Sequence, residues 1–305
     1  NYFVVPVVLI LLSVSSVYPL VNLWTGARGK AMADAVTSIS GDISCMGYNP
    51  AGIGTIGGLS LIAGYENIFP GMADAGILNM GIAIPVLVVN GSTVVSAAGI
   101  SFNGLYLTDM GQEEELTGVI TYNFGKLIFF RNIGINNLIF AAQFGTRSIK
   151  YKYDDYVLSA VFDNNKTKSV FNMNGGVIIN FTAVKDLQFG ISVKNLLTPN
   201  MTINNLSGYE TPIDYSIGIS YKTEVIKSVY LLAAVDGGSA DISKFINIGA
   251  EIGLYDKYFL NFGTGFGLDK SFFISAGAGF SLDVFGYNMI IRGSTHVIPE
   301  ISKIS

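Results

Sequence analysis

The chain has 305 residues, of which 50% are hydrophobic and only 13% charged, with a formal net charge of −4. Disorder requires low hydrophobicity and high charge, so a disordered chain is excluded, and an acidic balance with pI near 5.0 excludes an electrostatic nucleic-acid binder. One cysteine, Cys45, and one histidine, His296, exclude a disulfide framework, a cysteine-rich metal site and a multi-histidine metal centre.

A mean hydropathy of +0.47 suggests membrane helices, but a spanning helix needs about 20 consecutive apolar residues. The only such run is Tyr2 to Val21. Within it, Phe3 to Leu12 is almost wholly aliphatic and precedes Ser13, Ser15 and Ser16, the pattern of a secretory signal. Residues 1–24 are therefore expected to be a signal peptide, truncated at its start, with cleavage between Ser16 and Thr25. Pro6 and Pro19 suit a membrane anchor poorly. Cys45 lies too far downstream to be a lipoprotein cysteine and reads as a small core residue.

Residues 25–57 do not alternate. Ala31, Met32, Ala35, Val36 and Ile39 fit a short amphipathic helix, ended by Gly41-Asp42, and Tyr48-Asn49-Pro50-Ala51-Gly52 is a turn. Set ahead of a wide barrel whose lumen needs filling, this segment is expected to be a plug.

From residue 58 to 305 the sequence repeats every two residues. In Phe272–Asp283, Phe272, Ile274, Ala276, Ala278, Phe280 and Leu282 share one face, opposed by Phe273, Ser275, Gly277, Gly279, Ser281 and Asp283. Ile246, Ile248, Ala250 and Ile252 likewise oppose Asn247, Gly249 and Glu251. Strand side chains alternate between faces, and an apolar face against a small or polar one is what a transmembrane barrel requires. A soluble sandwich would instead crowd its outer face with Lys, Glu and Asp. Tyr221, Tyr255, Tyr258, Phe285 and Tyr287 fall near segment ends, as an interfacial girdle would.

The pattern predicts strands near 59–66, 77–89, 93–105, 116–125, 137–150, 170–181, 186–195, 213–223, 228–236, 245–255, 258–267, 271–283 and 286–297, with a last strand starting at Ile301. The fold class is thus all-β: a transmembrane antiparallel β-barrel of about 14 strands, an even number leaving no unpaired edge in lipid. Short links are expected near 90–92 (Asn90-Gly91, a tight-hairpin signal), 182–185, 224–227, 256–257 and 284–285. Long ones are expected near 67–76, 106–115, 151–169, 196–212 and 237–244, with 126–136 and 268–270 breaking the alternation.

Gly26-Ala27-Arg28, Ala31 through Val36, Asp42 and the Asn49-Pro50-Ala51-Gly52 turn resemble the N-terminus of FadL-like outer-membrane proteins, in particular the PorV/PorQ branch and a related uncharacterised spirochaete family. Phe189 through Leu196, Pro212 through Tyr221, Asn247 through Glu251 and Ser275 through Phe280 extend the resemblance over nearly the whole chain after residue 24. The acidic pair common before the turn is Gly41-Asp42 in this chain, a departure within the plug. The resemblance implies a location in the bacterial outer membrane, in contact with its lipid, and passive transport of hydrophobic, long-chain fatty-acid-like molecules. Asn49, Pro50, Ala51 and Gly52 would belong to the plug, either as a hinge, with Gly52 taking an unusual backbone angle, or as a static turn. The PorV-like alternative is a barrel serving secretion or surface attachment of a protein partner through external loops, with Glu113, Glu114 and Glu115 in a 109–115 loop and the loop from Tyr151 to Lys168 as contacts.

Inward-facing candidates for a permeation path are Gln143, Arg147, Asn172, Asn174, Asn180, Lys194, Lys222, Glu251 and Arg292, whose mixed signs argue against strong ion selectivity. The same residues could equally pair with one another or with the plug; if Glu251 and Arg292 merely hold the plug, exchanging either would loosen it. His296 is the sole histidine base available for hydrolytic chemistry and falls on the polar face with Asn288, Arg292 and Ser294. No enzymatic activity and no cofactor are expected, and the glycine-rich stretches lack the Gly-Lys-Ser/Thr of a phosphate loop.

Overall fold

A computed structural model describes residues 26–67, 75–89, 93–107, 111–126, 134–151, 167–201, 211–240, 243–268 and 271–297. The expected signal peptide, the Asn90-Gly91 turn, most of the 151–168 loop and the strand from Ile301 fall outside these residues. Among them are thirteen strands: β1 Ser60–Asn67, β2 Ala75–Val89, β3 Thr93–Leu107, β4 Gly111–Asn123, β5 Ile135–Tyr151, β6 Thr167–Phe181, β7 Leu187–Lys194, β8 Asp214–Ile226, β9 Val229–Ala240, β10 Ser243–Leu254, β11 Tyr258–Gly267, β12 Phe272–Val284 and β13 Tyr287–Val297. They form one sheet in strict chain order, every neighbouring pair antiparallel. Among the described residues β1 and β13 are the sheet's edges.

Alternation sets the two faces. Outward positions carry Ile82, Ile100, Ile120, Phe140, Phe144, Phe171, Ile217, Ile219, Ile246, Ile248, Phe262 and Ile274, all exposed. Aromatic rings meet on this outer surface, as where Phe144 stacks on Phe171 with centroids 6.3 Å apart. Inward positions carry small or polar residues that are buried, among them Asn79, Ser101, Asn103, Thr117, Asn247 and Asn261. Pro85 sits inside β2 where the register with β3 shifts, the kind of irregularity at which a strand tolerates a residue without an N–H.

Two connections differ from expectation. β3 runs to Leu107 and β4 begins at Gly111, so the 106–115 link shrinks to three residues. β9 runs to Ala240 and β10 begins at Ser243, shortening 237–244 in the same way. Glu113, Glu114 and Glu115 are therefore strand residues, not loop residues. Glu113 pairs with Arg147, and Glu115 accepts from the Asn172 amide. Opposite charges on neighbouring strands make a charged stretch compatible with a sheet, and composition alone does not reveal that pairing.

The N-terminal segment also departs from its expected helix. The helix α1 covers only Ala27–Ala31, followed by two 3₁₀ turns, η1 at Ile43–Gly47 and η2 at Pro50–Thr55. Between α1 and η1, Ala33 and Asp34 take left-handed angles, φ 54° and 63°. Met32, Ala35, Val36 and Ile39 are buried as expected. A helix would present them along one stripe, whereas this segment meets neighbours on several sides.

The segment is surrounded by the sheet's inner face. α1 packs on β11, β12 and β13, η1 on β1 and β2, and η2 on β2 through β6. Wall glycines make room for the intervening backbone. A Cβ at Gly190 would strike Thr37 and Ser38, one at Gly263 would strike Met32 and Ala33, and one at Gly249 would lie 2.6 Å from the Met32 carbonyl oxygen. One short segment thus touches both edge strands, which requires the sheet to curl around it. The largest apolar cluster joins Met32, Val36, Ile39, Met46 and Ile53 of the segment to Ala83, Ala97, Val119, Leu232 and Ala234 of the wall.

Candidate functional site: the plug and its charged latch

Glu251 on β10 is completely buried on the inner wall. A lone carboxylate there would be costly without partners, and it has four. Arg28 of α1 donates to both of its oxygens, Nη2 to Oε1 at 2.7 Å and Nε to Oε2 at 2.9 Å. Arg292 of β13 donates to Oε2 at 2.7 Å, the Tyr230 hydroxyl of β9 to Oε1 at 2.9 Å, and the Asn261 amide of β11 to Oε2 at 2.8 Å. Arg28 also pairs through Nη1 with Asp42 at 2.6 Å. Three wall strands besides β10 and helix α1 of the plug therefore meet at one carboxylate, with Asp42 joined to it through Arg28. The Arg292 guanidinium lies 4.3 Å from the Phe259 ring centroid, and Lys222 Nζ lies 3.8 Å from that of Tyr230.

Within the plug, burial would raise the Asp42 carboxyl, but Arg28 and the Ser44 N–H outweigh it and hold it below its ordinary range. Burial would likewise lower Arg28, while Glu251 and Asp42 hold it well above. The Cys45 thiol is pushed up by burial and by Asp42, so it stays protonated and inert. Burial and the Asp34 carboxylate raise Tyr48, whose hydroxyl donates to Asp34 at 2.7 Å.

A second attachment fixes the plug's middle. The Thr37 N–H donates to Asp236 of β9 at 2.7 Å, and the Thr37 hydroxyl to Ser216 of β8 at 3.0 Å. The Ser40 N–H donates to Gln188 of β7 at 3.0 Å. Asn49 donates to the Thr37 carbonyl at 2.6 Å and to the Val177 carbonyl of β6 at 3.2 Å, while its side-chain oxygen caps η2 by accepting from Ala51 N at 3.0 Å. Pro50 takes the first position of η2, where its missing N–H costs nothing. Gly52 does not adopt the unusual backbone angle that the hinge alternative gave it. It is required instead by proximity, since a Cβ there would lie 2.6 Å from that of Cys45. Asn49 through Gly52 form a buried, bonded turn.

All nine lumen candidates occupy inward positions, but they form separate groups. Glu251 and Arg292 belong to the latch, with Lys222 beside it. Gln143, Asn172 and Asn174 belong to a ladder across β4 to β8. Gln143 donates to Thr117 at 2.9 Å, Asn174 to Gln143 at 2.9 Å, and Asn172 to Asn195 at 3.1 Å. Arg147 pairs with Glu113 above that ladder. Lys194 lies 5.9 Å from the Tyr48 ring centroid, on the plug. Asn180 stands apart near the β6–β7 turn. His296 lies on β13 opposite Ser275.

The sequence reading did not single out Arg28, Asp236, Tyr230 or Asn261 as wall or latch residues. Asp236 and Asn261 each stand at an inward slot of an alternating strand, and that is the one signal that could have found them. The sequence matches no family model, and it matches no curated protein.

Proposed function

We propose that the protein is a FadL-like barrel of the bacterial outer membrane, plugged by its N-terminal segment, that lets hydrophobic, long-chain fatty-acid-like molecules cross passively. The observation that carries this reading is a segment of about thirty residues enclosed by the inner face of the sheet and joined to it by a charged contact at Glu251 and by hydrogen bonds to Asp236, Ser216, Gln188 and Val177. The membrane setting is supported by the outward apolar face, because soluble proteins rarely expose contiguous apolar patches beyond a few hundred Å². The hydrophobic cargo rests on the resemblance of the Gly26–Gly52 motifs. The protein-attachment alternative placed contacts on a 109–115 loop, whose three glutamates lie in β4, and on the 151–168 loop, most of which lies outside the described residues.

The test uses vesicles whose outer leaflet is lipopolysaccharide, the layer that hydrophobes cross poorly. With the protein inserted, uptake of a fluorescent long-chain fatty acid should exceed that of protein-free vesicles, and Glu251→Gln should raise it further. Uptake equal to the protein-free rate for both forms rejects transport. A displaceable hydrophobe seen with the barrel by native mass spectrometry supports it, and a stoichiometric protein partner with no hydrophobe supports the attachment reading instead.

A further inference from the structure

The wall beneath Thr37 and Ser38 holds a buried carboxylate of a different kind from Glu251. Asp236 of β9 is 1% exposed. Its Oδ2 accepts from the Thr37 N–H at 2.7 Å, and its Oδ1 has no hydrogen-bond partner. Glu251 is neutralised by two arginines, whereas no lysine or arginine among the described residues pairs with Asp236. Asp34, whose charge reaches it, is itself a carboxylate.

The strand register locates the unpartnered oxygen. Gly218 of β8 stands opposite both Gly190 of β7 and Asp236 of β9, and Ser216 and Ser220 flank it two positions away on the same inward face. A Cβ at Gly218 would strike Asp236 Oδ1 and lie 3.1 Å from the Thr37 Cβ. One at Gly190 would strike the Thr37 carbonyl and Ser38. Oδ1 therefore lies over the bare backbone of Gly218, against the plug. Ser38 of the plug, Ser192 of β7 and Ser220 of β8 are buried around it, and their hydroxyl oxygens also lack a partner. These oxygens are neighbours in the wall, yet they do not bond one another.

We propose that a monovalent alkali cation sits beside Asp236 Oδ1, between plug and wall, with buried serine hydroxyls, Ser220 first among them, and water completing its oxygen shell. Charge separates this from a trapped water. Water would satisfy the hydroxyls but leave a carboxylate buried without a countercharge, which is costly. Charge also sets the valence, because one carboxylate balances one positive charge and a divalent ion would leave a buried excess. Oxygen donors without nitrogen or sulfur suit a hard cation. Asp236, Ser192 and Ser220 belong to the wall and Ser38 to the plug, so the complete site exists only with the plug seated. An ion that binds the seated state alone holds it closed. The site needs only a seated plug, so a failed fatty-acid uptake assay does not bear on it.

The test follows maleimide labelling of Cys45 in the full chain in detergent micelles, while sodium or potassium chloride in turn replaces N-methylglucamine chloride at constant ionic strength. Labelling should slow saturably, about tenfold when the cation stands at ten times its dissociation constant. Asp236→Asn keeps an acceptor for the Thr37 N–H but removes the charge, and its labelling should ignore the cation. Ser220→Ala keeps the charge and should move the midpoint to higher cation concentration. Labelling of the intact protein that neither cation slows overturns the site, and so does an Asp236→Asn variant that retains the full dependence. Should Asp236→Asn fail to fold, Ser220→Ala decides: a shifted midpoint supports the site and an unmoved one overturns it.

Discussion

At the scale of single residues, Glu251 decides how the plug is held. Removing one partner of a buried ion pair leaves the other charge uncompensated, at about 3–5 kcal/mol. Glu251→Gln strips the shared anion from both Arg28 and Arg292 and should lower the thermal transition while raising leak of small solutes. Arg292→Met leaves the two-pronged Arg28 contact intact and should do clearly less, so equal effects would contradict the plug-side role of Arg28. Asp42 adds a pH signature. Its carboxyl is held below its ordinary range by Arg28 and Ser44, so its stabilisation is fully present above the unfolded value of about 3.9. It disappears only as pH falls through the lower folded value. The difference in leak between the intact protein and Asp42→Asn should therefore be present at neutral pH, persist down to about 4, and vanish below that.

Elements were largely legible in the sequence because an alternating face is a local signal. Twelve neighbouring pairings need only consecutive strands and short links, and the strict meander supplies them. The errors came where local chemistry misleads. Three glutamates in a row look like a loop, yet Glu113 and Glu115 face inward against Arg147 and Asn172. The plug's conformation was hidden for a different reason. Its backbone is satisfied by side chains 199 and 148 positions away, Asp236 for Thr37 and Gln188 for Ser40, which no local periodicity encodes. The same holds for the latch, where Arg28 meets Glu251 across 223 positions. The close fit of plug and wall makes a prediction about β11. Gly263→Val should overpack against Met32 and Ala33 and destabilise by about 1–3 kcal/mol. Gly293→Val on β13 meets open space and should stay within about 0.5 kcal/mol in the same melting assay.

At the scale of the whole molecule, three facts belong together: an outward face of exposed apolar side chains, an inward face of small and polar ones, and a segment that touches the sheet from β1 to β13. Their common consequence is that a change in the wall should be felt by the plug. Cys45 is the chain's only cysteine, and it is buried in the plug. Its reaction with a small maleimide in the membrane-reconstituted protein reports directly on enclosure. The intact protein should resist labelling and label fully on unfolding. Gly263→Val, on β11 against Met32 and Ala33, should accelerate labelling, and Gly293→Val should not. Rapid labelling of the intact protein, or a rate indifferent to the Gly263 substitution, would contradict the enclosure of the plug by the sheet.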